Sequence, residues 1–500
     1  MREHRELERT YAPGAGASLP DLTALPGVTA LGEPEVIELS AAYYDTDDLA
    51  LLRAGVTLRR RTGGADEGWH LKIPAGVGRD EIQLPLASGP AAPPAELLGL
   101  VRGRTRGAPV AEVATVCTRR IEVPLLDAEG TVVAELADDE VTGQAHGREQ
   151  QVAWREWELE LVDGDPALLG AADDLLHDAG VPSSDIPRKI LHVLGDRLPE
   201  PRRLAAVGPD KPAGRVLQRR LAEQVEELVR RDSEIRRGRP EGVHQARVAC
   251  RRLRAALATY RPLVHREVTD PLREELKWLG QALADARDAH VVRRRLEVLL
   301  DEEPPEPGSA AAHARLAASY DERRQGADRR VDEVLSSDRY FDLLDALDRL
   351  VEDPPWTAEA VRPARELLRR RMRRDWKRLR RQVAVEVDAV EHDPAMHQVR
   401  KDAKRLRYAA EALEPVWGKD AGRLTRAAKK LTSHLGDRQD TVVSRQHLRQ
   451  LAEEAEAAGE SSFVWGRLHA HEEARAADLD RRWPGLWSAV SRKRYRAWLG

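Results

Sequence analysis

RELERTY (5–11), close to the start of the chain, carries chemistry of its own: Glu6, Glu8 and Thr10 alternate with Leu7, Arg9 and Tyr11. A strand has a side-chain period of two, so two carboxylates and a hydroxyl would share one face. Neighbouring carboxylates are hard oxygen donors suited to a divalent cation. Similar acidic faces recur in Glu135 and Asp139 of AELADDEV and in Glu156, Glu158 and Glu160 of REWELEL. Basic segments alternate with these in the sequence: Arg59 and Arg61 in TLRRR, His70 and Lys72 in WHLKIP, Arg79 in GRDEI, Arg119 and Arg120 in CTRRI. On one strand such alternation is the wet side of an antiparallel sheet. Over most strands of one domain it points to inward faces, where acids hold a metal and Arg and Lys hold the oxygens of a polyanion.

A second constellation lies further on. His244, Arg247, Arg251 and Arg254 are spaced i, i+3, i+7, i+10, one stripe of a helix, while Cys250, Leu253 and Leu257 fall on another face. VHQARVACRRLRAALATYRPL (243–263) aligns without gaps on MHQVRKDAKRLRYAAEALEPV (396–416), giving a second stripe of His397, Arg400, Lys404 and Arg407. LADARD (283–288) and LGDRQD (435–440) extend the repeat, so two related helical bundles facing each other are expected. Basic runs on helices are commonly solvated faces. Here RRRMRR (369–374) contains no acid, and repulsion between like charges calls for an anion, to which Arg forks are suited when it is phosphate. The two histidines read as phosphate-facing donors. Structural or metal-ligand roles are the alternatives, but neither sits in a Cys/His cluster with zinc spacing, and HEEAR (471–475) lacks the second histidine of a zincin.

The elements that must position these groups differ between the halves. Residues 1–197 read as short β-rich segments with helical patterns only near 92–102 and 165–179, which favours an antiparallel barrel or sandwich. GDRLPEPRRLAAVGPDKPAG (195–214) is a Pro- and Gly-rich boundary, and beyond it the pattern is helical, with breaks at 301–311 and 351–357. Charge follows the division: residues 1–207 hold 21 Lys and Arg against 35 Asp and Glu, and residues 208–500 hold 60 against 50. Opposite signs suggest two jobs, and the basic half suits an anionic partner. Two cysteines exclude a disulfide framework, and no run of eighteen apolar residues predicts a membrane span. The charged start without an apolar segment reads as cytoplasmic.

These motifs carry two resemblances. The VHxxRVxxRRLRxxL pattern, its second copy and KWLGQALADARDAHVV (277–292) resemble the CHAD domain, the conserved-histidine α-helical domain, over about 208–500. That implies two pseudo-symmetric helical bundles around a basic surface that binds inorganic polyphosphate, with His244, Arg247, Arg251, Arg252, Arg254, His397, Arg400, Lys401, Lys404, Arg405 and Arg407 facing the ligand. RELER, YYDTDDLALLRAGVTLRRR (43–61), WHLKIP, AELADDEV and WREWELEL resemble the CYTH superfamily, the triphosphate tunnel metalloenzymes, over about 1–197. That implies an eight-stranded antiparallel tunnel using Mg²⁺ or Mn²⁺. Its metal side would be Glu6, Glu8, Glu135, Asp139, Glu156, Glu158 and Glu160, its phosphate side Arg59, Arg61, Lys72, Arg79 and Arg119, and its catalytic set Glu6, Glu8 and Lys72. The family signature Glu-x-Glu-x-Lys ends here in Thr10, which supplies no charge.

The expectation is therefore an α+β multidomain chain: a tunnel domain (1–197), a linker (198–207) and an all-α domain with an internal repeat (208–500). It would bind polyphosphate through the helices and bind, and hydrolyse, a terminal triphosphate in the tunnel. The alternative is a binding protein with a degenerate tunnel, associated with polyphosphate granules. Nucleic acid is disfavoured, because no recognised module or stacking series of aromatics accompanies the arginines.

Overall fold

The computed structural model describes the chain apart from residues 1, 15, 77, 87–91, 187, 199–203, 305–308, 388–391 and 500 and the side chains of 240, 285–291 and 322. The chain divides into two compact units, Met1–Pro201 and Arg202–Gly500.

The first unit is a single antiparallel sheet of β1 (Arg2–Glu6), β2 (Glu8–Tyr11), β3 (Ala30–Leu31), β4 (Glu35–Asp45), β5 (Thr57–Thr62), β6 (Gly68–Pro74), β7 (Arg79–Leu84), β8 (Ala111–Leu126), β9 (Val132–Ala145) and β10 (Gln151–Leu161). The strand order is β1-β7-β6-β5-β4-β8-β9-β10-β2, with β3 paired only to β8. Its two ends are one piece of chain. Glu6 faces Arg79 on β7, Glu8 faces Glu160 on β10, and only Leu7 lies between them. RELERTY therefore closes the sheet into a barrel whose staves number eight when β1 and β2 count as one.

Alternate residues point out of the barrel and meet the helices α1 (Ala50–Arg53), α2 (Ala95–Thr105), α3 (Ala167–Asp178) and α4 (Lys189–Leu194). Leu168, Ala172 and Leu176 of α3 pack on Tyr11, Trp157 and Leu159, and Leu97, Leu100 and Val101 of α2 pack on Trp69, Leu71 and Ile82. Each buried leucine among them contributes about 1.5–3 kcal/mol. The sequence placed α2 and α3. It missed α1 and α4, which at four and six residues are too short for a helical period to register.

The second unit comprises α5 (Ala213–Arg236), α6 (Pro240–Thr259), α7 (Arg266–Ala282), α8 (Ala284–Glu302), α9 (Ser309–Leu335), α10 (Asp338–Glu352), α11 (Ala364–Val387), α12 (His392–Ala457) and α13 (Phe463–Val490). Cys250, Leu253 and Leu257 of α6 point into its core beside Leu406 and Leu413 of α12. The α12 helix is interrupted at Gly418, whose φ of 47° and ψ of −121° leave the helical region three residues after Pro415. The Tyr260 hydroxyl donates to the Ala409 carbonyl at 2.9 Å, tying the end of α6 to α12, the two helices that carry the repeat. No helix among the described residues is long and apolar enough to cross a membrane.

Closure depends on one close approach. Gly78, at φ +79°, lies where an added Cβ would be 2.3 Å from the Glu6 carbonyl oxygen. Gly78→Ala is expected to lower stability by about 2 kcal/mol or more, through both strain and clash. Denaturant titration checks this, and an unchanged midpoint would show that β1 and β7 close without this contact.

Candidate functional site

The inward residues of the barrel line a cavity of about 380 Å³. Strand order segregates most of them, with Glu81 of β7 and Arg120 of β8 as exceptions. Arg59, Arg61, Lys72 and Arg79 come from the neighbouring β5, β6 and β7, while Glu135, Glu158, Glu160 and Glu8 come from the neighbouring β9, β10 and β2. Glu6 stands at the seam between the two groups and pairs with Lys72. Arg79 reaches Glu8 at 3.0 Å, and Glu81 receives His70 at 2.8 Å and His4 at 3.1 Å.

A second knot sits beside the cavity. Arg120 forks onto Asp139 at 2.9 and 2.8 Å and reaches Glu158 at 2.7 Å. Lys189, the first residue of α4, lies 2.9 Å from Asp139, 2.6 Å from Glu156 and 2.7 Å from Glu158. These three carboxylates lie close enough to share one cation, and here the ammonium takes that position. Burial alone would raise the Glu158 pKa, but Lys189 and then Arg120 outweigh it and hold the carboxyl well below its ordinary value.

At Glu156 burial still outweighs Lys189 and the carboxyl is raised, and burial prevails at the acids away from the ammonium as well. Burial raises Glu8, and burial followed by the neighbouring Glu6 pushes Glu160 up to about 8. On the cationic side, burial, Arg59 and Arg120 push Arg61 down to about 9, so it stays charged at neutral pH. Glu6 Oε2, Arg59 Nε and Arg61 Nε are buried without a hydrogen-bond partner. Arg61 spends a terminal nitrogen on Asp66, and the remaining unmatched carboxylate oxygen and guanidinium nitrogens of one cavity fit a hard divalent cation together with an anion.

The structure redistributes the expected set. Arg119 is not at the cavity. It is opposite Glu140 in the β8–β9 register, is 45% exposed, and lies 3.6 Å from Glu140 and 4.0 Å from Glu38. The inward residue of that pair is Arg120, since in TRRI both registers were chemically plausible and only the pairing selects one. Asp139 and Glu156 lie behind the cavity wall, taken up by Lys189 and Arg120. Thr10 is buried opposite Glu158, so the Lys189 and Arg120 charges already stand on that face. Lys189, Glu81, Glu35 and Glu122 belong to the site and were not anticipated. The acids were concealed in single alternating strands, and Lys189 by a helix too short to signal.

In the helical unit the two stripes meet. Lys404 is surrounded by Arg400, Arg251, Arg247 and Arg407, and burial reinforced by these four pushes it down to about 6. Arg251 Nε and Arg400 Nε are buried without a partner. His397 donates from Nδ1 to Gln439 at 2.9 Å, and burial lowers its pKa, leaving a neutral, oriented ring. His244 is half-buried on the same stripe as Arg247. The remaining expected residues are spent elsewhere. Arg252 and Arg407 grip Glu411 at 3.1 and 2.8 Å, and Arg405 pairs with Asp375 at 3.0 Å. Arg254 lies near Glu274 and Arg273, and Lys401 is exposed. In the LADARD segment, the side chains of 285–288 lie outside the described residues.

Two pH profiles follow from these environments. Glu160 has its folded pKa raised from 4.5 to about 8, so the folded state binds the extra proton between those values and stability falls as pH rises through that window. In chelator, the thermal midpoint of Glu160→Gln should gain on the parent from pH 5 to 8, and a constant difference would contradict the burial argument. Lys404 is depressed to about 6, so a bound polyanion restores its proton. Polyphosphate affinity should rise as pH falls from 8 toward 6, and the difference between parent and Lys404→Arg should shrink from about 100-fold at pH 8 to about twofold near pH 6. Parallel titration curves would show that Lys404 keeps its charge throughout.

Comparison with known proteins finds a family for each half of the chain. The CYTH domain family matches residues 4–188 and the CHAD domain family matches residues 219–449. The chain is 37% identical over 507 residues to the uncharacterized protein Rv2226 of Mycobacterium tuberculosis (strain ATCC 25618 / H37Rv), covering 98% of this chain and 96% of that one. Among solved structures it is similar to PptA from Streptomyces chartreusis, at 24% identity over 55% of this chain and 99% of that one, with a TM-score of 0.47. It is also similar to the CHAD domain from the plant Ricinus communis, at 26% identity over 58% and 96%, with a TM-score of 0.42. The chain belongs to the CYTH–CHAD family, with its CYTH domain preceding its CHAD domain.

Proposed function

We propose that this protein holds inorganic polyphosphate on its helical unit and binds, and hydrolyses, a terminal triphosphate in its tunnel. The observation that carries the reading is the segregated cavity, with unpartnered guanidinium nitrogens on Arg59 and Arg61 and an unpartnered carboxylate oxygen on Glu6. Glu6, Glu8 and Glu160 would hold Mg²⁺ or Mn²⁺, which when bound supplies charge to phosphoryl oxygens and makes water more acidic. Arg59, Arg61, Arg79 and Lys72 bind the oxygens that the carboxylate side leaves free, and they stand ready for charge that develops during transfer. Lys72 also holds Glu6 in place, so one side chain both orients a carboxylate and faces the phosphates. Lys189 and Ile190 of α4 occupy part of the wall and exclude water there. On the helical unit, Arg247, Arg251, Arg400 and Lys404 form the holding site. The proposed location is the cytoplasm, where polyphosphate would be the partner.

Thr10 favours a second reading, a tunnel that binds without turnover, because the signature lysine is missing from the strand that carries Glu6 and Glu8. One assay separates the two. Phosphate release from tripolyphosphate and long-chain polyphosphate is measured with Mg²⁺, with Mn²⁺ and with chelator. Metal-dependent release is expected, falling about 100-fold or more in Glu6→Gln/Glu8→Gln. Tight binding without release under either metal would replace hydrolysis by binding alone. Absence of both would reject the tunnel reading. Retention of long-chain polyphosphate by the double variant, weakening steeply with salt, is expected from the helical site.

A further inference from the structure

One cavity of the helical unit belongs to neither site above. It has a volume of about 280 Å³, and its wall carries five guanidinium groups, Arg261, Arg266, Arg371, Arg374 and Arg405, around one carboxylate, Asp375. The end of α6 with the turn after it, the start of α7, and the α11 and α12 helices supply these residues. None of the wall belongs to the Arg247, Arg251, Arg400 and Lys404 cluster. Arg405 and Lys404 are successive on α12, about 100° apart around the helix, so they address different surfaces.

The charges inside this cavity do not balance. Asp375 is buried and accepts from the Thr259 hydroxyl at 2.8 Å and from Arg405 at 3.0 Å. Arg261 pairs with Asp270, which also lies 3.7 Å from Arg266 and 3.1 Å from Arg273. Arg371 and Arg374 make no hydrogen bond and no ion pair with any described residue, and Arg371 Nε is buried with no partner. They stand at i and i+3 on α11, where neighbouring like charges repel.

The repeat supplies a comparison within the same chain. Arg252 is the counterpart of Arg405, and there Glu411 satisfies three guanidinium groups, those of Arg252, Arg220 and Arg407, at 3.1, 3.1 and 2.8 Å. At that position the chain provides the anion. At the Arg405 cavity it provides partners for Arg405, Arg261 and Arg266 and leaves Arg371 and Arg374 open.

The geometry points to a second anion site here, formed by Arg371 and Arg374 with Arg405 held in place by Asp375, for a compact phosphoanion of one or two phosphoryl groups. Forked guanidinium donors match phosphate oxygens in pairs. The cavity lies at the small end of the range for ligand pockets, too small for a long chain, and its wall holds no aromatic side chain for a nucleobase to stack on. This site is independent of the tunnel and of the stripe.

The test is calorimetric titration of the full chain with pyrophosphate in chelator, with orthophosphate run alongside. Arg371→Ala/Arg374→Ala should lose one class of pyrophosphate sites, weakened about tenfold or more. Arg251→Ala/Lys404→Ala should keep that class. Where the first double variant loses its helical circular dichroism, the exposed single change Arg374→Gln should weaken the same class. Curves for the Arg371 and Arg374 variants that superimpose on the parent would overturn the site. So would loss of the same class from the Arg251 and Lys404 variant, since that would place pyrophosphate on the stripe.

Discussion

A closed barrel places every second side chain where water is scarce, and in this one many of those side chains are carboxylates. An ionised carboxylate can remain in such a place only if a cation or several donors stand against it. The Lys189 ammonium meets that requirement for Asp139, Glu156 and Glu158 together, with Arg120 sharing two of them. Breaking a buried arrangement of this kind costs about 3–5 kcal/mol in other proteins. With Asp139, Glu156 and Glu158 engaged by one lysine and one arginine, Glu6, Glu8 and Glu160 are left grouped at the seam, with Lys72 on Glu6 and Arg79 on Glu8. The division between structural and available carboxylates thus follows from where α4 begins.

The helical unit solves the opposite problem. Its stripes bring Arg247, Arg251, Arg400, Lys404 and Arg407 together, and the two free orphan nitrogens and the depressed Lys404 record the repulsion. The core beneath them, with Cys250, Leu253, Leu257, Leu406 and Leu413, holds the helices in place despite it. A polyanion would relieve repulsion of this kind, so the energy that opposes folding here would favour such binding. The tunnel holds both signs in one cavity and suits a ligand with its metal. The stripe holds one sign and suits a bare polyanion.

Local pattern and charge identified both families and most of the charged residues, because period two and the i, i+3, i+7 spacing are properties of the backbone and survive in any context. They also revealed the repeat, since His244 and His397 recur with their arginines in register. The strand containing Glu6 and Glu8 could be recognised as a face, but not as the seam that joins β7 to β10, because pairing partners lie more than seventy residues away.

Tertiary structure alone decided how each charge is used. Whether Arg119 or Arg120 turns inward is a one-residue choice of register, set by β4 and β9 on either side. Arg252 and Arg405 look alike in sequence to Arg251 and Lys404, yet each finds a carboxylate on a neighbouring helix and so leaves the common cluster. Lys189 gave no signal, because its role rests on three acids from two strands meeting one short helix. The sequence by itself determined which residue types lie on which faces, since that depends on neighbours along the chain. The fold determined which charges are satisfied and which remain open to a ligand, since that depends on neighbours in space.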